Sequence, residues 1–98
     1  MVLEMLVTEP KDVFLNYALA IELETEKKLE EAELQFLKTL EIDKNYLPCF
    51  YRLGQIAEKI KSKEEAISYY KSGLDLAKLQ NDNKTANELN EAIYLLED

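Results

Sequence analysis

The sequence predicts an all-α fold made of stacked helical hairpins. Among 98 residues there are only 2 Gly and 2 Pro, too few turn residues for a β-rich chain of this size. Hydrophobic residues make up 47% and charged residues 33%, a balance that favours one folded domain over disorder. The third observation is decisive: the chain repeats itself.

Two fragments carry the repeat, LEEAELQFLKTLEID over 29–43 and KEEAISYYKSGLDLA over 63–77. Ala32 and Ala66 stand 34 residues apart in them. The same offset pairs Leu19 with Leu53, Ala20 with Gly54, Phe36 with Tyr70, Thr39 with Gly73, and Leu40 with Leu74. No gap is needed, and two units result, 13–46 and 47–80. Small side chains at Ala20, Gly54, Ala32 and Ala66 allow close approach of two helix backbones, while the large ones fill the seam.

A 34-residue period with this spacing resembles the tetratricopeptide repeat family, a pair of antiparallel helices per repeat. In the second unit Leu53-Gly54, Ala66-x3-Tyr70, Phe50 and Gly73 match the family's pattern. In the first, Leu19-Ala20, Ala32-x3-Phe36 and Thr39 do. Asn16 departs from it, standing where the family has a large aromatic. A rival alignment of this first helix uses Phe14, Tyr17, Ala18 and Ile21, with two extra residues in the turn. The resemblance implies two stacked helix-turn-helix hairpins in a right-handed α-solenoid fragment, of the short bacterial type.

Each element has its own signals. Residues 1–9 read as a helical stub, because Leu6 lies 34 before Leu40. Pro10 suits the first turn of a helix reaching about Glu26. A turn at Lys27-Lys28 leads to a second helix through Asp43. Pro48 opens the third, with Asn45 as the expected N-cap, and it runs to about Ile60. Ser62 and Glu65 have capping-box spacing for a fourth helix reaching Leu79. Asn81, Asp82 and Asn83 form a loop with cap chemistry. Over 82–97 the repeat breaks, yet Ala86, Leu89, Ala92, Ile93 and Leu96 fall on one helical face. Asn87, Asn90, Glu91 and Glu97 fall on the other. This is the pattern expected of a terminal capping helix. The expectation is one domain over 1–98, a complete small protein.

Composition also excludes. The net charge of −8 repels phosphate backbones and anionic lipid, so neither nucleic acid nor a membrane surface is an expected partner. No segment approaches the ~20 apolar residues of a membrane span. The opening MVLEMLV lacks a basic region and is interrupted by Glu4, unlike a signal peptide. A cytoplasmic location is expected by default. Cys49 is the only cysteine, so no internal disulfide forms, and it reads as a small apolar side chain. There is no histidine, no triad, no metal-loop spacing and no Gly-rich phosphate cradle. Glu30, Glu31, Glu33 and Glu41 read as a solvated helix face. Neither catalytic residue, metal nor cofactor is expected.

Function is therefore expected in binding. The resemblance implies a concave groove lined by the first helix of each pair, taking a peptide or protein segment. By register its residues are Phe14, Tyr17 and Ile21 in the first unit, and Tyr51, Arg52, Gln55, Glu58 and Lys59 in the second. Tyr17 and Tyr51 share one repeat position, and with Arg52 they have the character of an amphipathic anchor. The structural alternative for these aromatics is packing between repeats. A two-Asn carboxylate clamp known in the family is not matched, since Ala18 and Arg52 stand at its Asn positions. The alternative function is self-association, a homodimer through the apolar stub or the open end of the stack.

Overall fold

The computed structural model describes residues 2–97. Residues 1 and 98, the ends of the expected 1–98 domain, lie outside them. Among the described residues there are six helices and no strand. They are α1 (Val2–Thr8), α2 (Val13–Thr25), α3 (Leu29–Ile42), α4 (Pro48–Ile60), α5 (Lys63–Leu79) and α6 (Asn83–Leu96). The chain divides into two compact units, 1–49 and 50–98, with the boundary in the first turn of α4.

In the first unit α2 and α3 pair closely, and α1 rests on α2. None of the residues of α1 is buried. Pro10 does not sit in the first turn of α2, as expected; the helix begins three residues later. Asp12 takes the N-cap, accepting from the Leu15 amide at 2.8 Å, because an aspartate oxygen satisfies an amide that Pro10 is too far upstream to reach. At the other end Lys27 adopts a left-handed φ of 65°, and Lys28 N–H reaches back to the Leu23 carbonyl at 2.9 Å. This closes α2 with a Schellman-type turn.

The interior of this unit holds Ala20, Ala32, Phe36 and Thr39, all fully buried. Asn16 and Ala20 are the buried residues of α2, whereas Phe14 is 67% exposed. That burial follows the gapless register and not its rival. Glu33 corrects the solvated-face expectation, being buried while Glu30, Glu31 and Glu41 are exposed. It follows Ala32 directly and precedes Phe36 by three, so helical geometry turns its stem inward. Asn45 lies three residues ahead of the first residue of α4. Its amide donates to Asp43 Oδ1 at 2.9 Å, tightening the preceding turn.

In the second unit Ser62 caps α5 as expected, accepting from the Glu65 amide at 3.1 Å. Leu53, Ile56, Ala57, Ala66, Tyr70, Ala77 and Leu89 are essentially inaccessible. The small residues do what their spacing implied. A β-carbon on Gly54 would collide with the Tyr70 ring, and one on Gly73 would stand 2.7 Å from Phe50 Cβ and 3.2 Å from Leu89 Cδ1. So α4 and α5 meet across Gly54, while Gly73 receives both Phe50 and Leu89. Asn81 (φ 58°) ends α5 as Lys27 ends α2, with Asp82 N–H to the Ala77 carbonyl at 2.9 Å. Asp82 then caps α6 through the Thr85 amide at 3.0 Å. That backbone hydrogen bond, with a second from the Thr85 hydroxyl, lowers the carboxyl's pKa below its ordinary value. Ala86, Leu89 and Ile93 form the buried stripe of α6, and Lys71 pairs with Glu97 at 3.6 Å.

Candidate functional site

The second unit holds a cavity of about 350 Å³. Its first wall is α4, where Tyr51, Gln55 and Glu58 form one stripe at helical spacing. Tyr70 from α5 closes the back. The opposite wall is α6, with Glu88, Glu91, Ala92, Leu95 and Leu96 on a single face. Thus α6 is divided along its length. One stripe is buried, and the adjacent stripe lines the cavity.

The two tyrosines are held firmly. Their ring centroids are 5.8 Å apart at an interplanar angle of 45°, within the range where aromatic pairs attract. The Tyr70 hydroxyl donates to Glu58 Oε2 at 2.5 Å. Burial raises the pKa of this phenol above its ordinary value, and the hydrogen bond to Glu58, that carboxylate's charge and Tyr51 push it further. Tyr70 therefore stays protonated and remains a donor. Tyr51 is half-buried, with one side on Tyr70 and an edge in the cavity.

The electrostatics are one-sided. Glu58, Glu88 and Glu91 are exposed carboxylates on the cavity, and no lysine or arginine lines it. Among the described residues, none of the three has a cation within ion-pair distance. No three metal-binding side chains come close enough there to hold an ion. The site can therefore take an extended group that is positive at one end and apolar elsewhere.

Of the expected groove residues, the structure brings Tyr51, Gln55 and Glu58 together on this cavity. Arg52 and Lys59 lie one position round α4 and do not line it. Phe14, Tyr17 and Ile21 belong to α2 in the first unit. There Tyr17 is half-buried, its ring 5.7 Å from Phe36 and 5.2 Å from Tyr46. Cys49 is fully buried. Burial, with a smaller contribution from Asp43, pushes its thiol up to about 12, which is the inert apolar side chain its sequence context implied. Sequence reasoning missed Tyr70, Glu88, Ala92, Leu95 and Leu96 as lining residues, and it assigned Glu91 to the solvent face. The available signal was the 88, 91, 95 spacing, which aligns two acids and a leucine on one side of a helix.

None of the helices among the described residues is long and apolar enough to cross a membrane. No family model and no curated protein matches the chain. Solved structures do. A solution structure of a tetratricopeptide repeat domain protein from Salinibacter ruber superposes with a TM-score of 0.83 at 31% identity, covering 90% of this chain and 89% of that one. A crystal structure of a tetratricopeptide repeat domain protein from the same organism gives 0.81 at 30%, covering 88% and 97%. A protein from Bordetella parapertussis gives 0.86 at 20% over 97% and 83%, a likeness of fold. With the repeated hairpin, the small-residue contacts at Gly54 and Gly73, and relatives at this identity over nearly their whole length, the chain belongs to the tetratricopeptide repeat family.

Proposed function

We propose that this chain is a non-catalytic protein-interaction module, an adaptor of the bacterial cytoplasm that captures a peptide or protein segment. The observation that carries the proposal is the cavity between α4 and α6, where a half-exposed tyrosine, an amide and carboxylates with no cation beside them among the described residues meet an apolar rim. Such a mixture of rigid aromatic surface and uncompensated charge favours a partner's side chain over water. On this reading Tyr51, Gln55 and Glu58 are primary contacts. Arg52 and Lys59 act at the edge, and Phe14, Tyr17 and Ile21 extend recognition in the first unit. Residues 1–98 then act as one domain, with 1–9 as stub, 13–46 and 47–80 as repeats, and 82–97 as cap.

The test is affinity capture from native bacterial lysate with the full chain and with Tyr51→Ala/Arg52→Ala. The double variant is expected to stay folded and to recover at least about threefold less of the specific partner. Equal recovery by both proteins would remove α4 from the binding surface.

A second reading, self-association, is favoured by one observation. Leu3, Met5 and Val7 of α1 are exposed, Val7 at 82%, and a homodimer would cover them. Solution mass at rising concentration tests it. A monomer throughout excludes this reading.

A further inference from the structure

Resting on the interaction reading above, we infer that the α4–α6 cavity is a receptor for an arginine side chain of a partner segment, with an apolar residue of that segment seated beside it on Leu95. Four features of the cavity converge on this ligand.

The first is charge. Glu58, Glu88 and Glu91 bring three carboxylates to a cavity with no basic lining residue, and none of them is compensated by a cation among the described residues. Carboxylates on two facing helix walls attract an incoming cation, whose binding compensates their charge. The second is spread. The acids do not converge closely enough to chelate a metal ion, so the matching cation is one whose positive charge is distributed over several donors. A guanidinium has five N–H donors in a planar fork, while an ammonium is a compact, strongly hydrated point.

The third is the aromatic wall. The Tyr51 ring reaches the cavity and is braced from behind by Tyr70. Tyr70 is itself fixed by its bond to Glu58. A planar cation stacks on such a ring while its edge meets carboxylates. The fourth is the apolar rim. Leu95 is 71% exposed and lies with Ala92 and Leu96 on the cavity. It offers a surface for the arginine's own methylene stem and for a neighbouring apolar side chain. A volume of about 350 Å³ accommodates a side chain of this size and not a folded element.

The experiment titrates the isotope-labelled full chain with three short probes and follows backbone amide shifts. The probes are acetyl-Leu-Arg-amide, the same dipeptide with citrulline, and the same with lysine. Saturable shifts are expected at Tyr51, Gln55, Glu88 and Ala92 with the arginine probe. The neutral citrulline probe, equal in shape, should bind at least about fivefold more weakly, and the lysine probe should fall between. Binding of the arginine probe should weaken severalfold from about 50 mM to about 500 mM salt.

Glu88→Gln/Glu91→Gln should lose at least about threefold in affinity for the arginine probe. Glu30→Gln/Glu31→Gln, which removes the same charge in the first unit, should not. All four positions are exposed, so these variants fold. Equal binding of the citrulline and arginine probes overturns the inference and leaves a general peptide cavity standing. Equal binding of the lysine probe overturns the choice of arginine. Absence of saturable shifts with every probe overturns the inference outright, while lysate capture decides the broader reading independently.

Discussion

The ring of Tyr70 lies across the α-carbon of Gly54, filling the space a β-carbon would occupy: that carbon would stand 2.5 Å from Tyr70 Cδ1 and 2.6 Å from Cζ. This contact brings α4 and α5 together, and it also orients the cavity. Because the backbone at residue 54 has no side chain, Tyr70 advances until its hydroxyl meets Glu58 one helical turn further along α4.

Gly54→Ala sets two effects against each other. A helical alanine is better than glycine by about 1 kcal/mol. Overpacking against a buried ring costs about 1–3 kcal/mol, and Tyr70 is fully buried and hydrogen-bonded, so it has little room to yield. Overpacking wins. Net destabilisation of up to about 2 kcal/mol is expected from urea unfolding, with partial recovery in Gly54→Ala/Tyr70→Leu. A more stable Gly54→Ala would mean that the ring moves freely.

Asn16 anchors the first unit. Its Nδ2 donates to the carbonyls of Pro10 at 3.0 Å and Asp12 at 2.9 Å, and its Oδ1 accepts from Gln35 Nε2 at 2.7 Å. At 1% exposure it has no water to replace these partners. Asn16→Ala is expected to cost about 2–3 kcal/mol. A double-mutant cycle with Gln35→Ala should show coupling of about 1 kcal/mol. Additive losses would show that the two amides act separately.

Lys27 holds a left-handed backbone with a side chain that disfavours it. Glycine adopts that conformation without penalty, so Lys27→Gly should raise stability by about 0.5–1 kcal/mol despite the greater freedom of its unfolded chain. Thermal unfolding checks this, and a lower midpoint would contradict it.

The Tyr70 phenol supplies a pH dependence with a definite sign. Its folded-state pKa is raised above the ordinary 10.0 by burial and by Glu58. The stabilisation it contributes is complete below pH 10.0 and is lost as pH rises above that value, because the unfolded phenol ionises first. Wild type should exceed Tyr70→Phe by about 1 kcal/mol at neutral pH, the worth of one hydrogen bond. The difference should shrink at higher pH. A constant difference would deny the phenol this role.

Much of the hairpin was legible because packing between helices is periodic. Ala32 and Ala66, with Phe36 and Tyr70, repeat in spacing and are all buried. Ser62 and Pro48 mark helix starts through local chemistry that needs no tertiary information. The misreadings share a physical cause. Pro10 and Glu33 follow local preference in the sequence; the Asp12 cap displaces the first and burial displaces the second. The far wall of the cavity was hidden for a different reason. Helix α6 stands one 34-residue step beyond α4 but does not keep the repeat's motif, with Glu88 where the second unit has Gly54, so the register alone does not mark Glu88 and Glu91 as lining residues.

The most direct test of the account is site-specific photo-crosslinking in living cells. A benzophenone side chain replaces Gln55, which lines the cavity, or Ser72, which is exposed on α5 away from it. A discrete covalent partner is expected from position 55 and none from position 72. The same partner captured equally from both positions, or only from position 72, would contradict it.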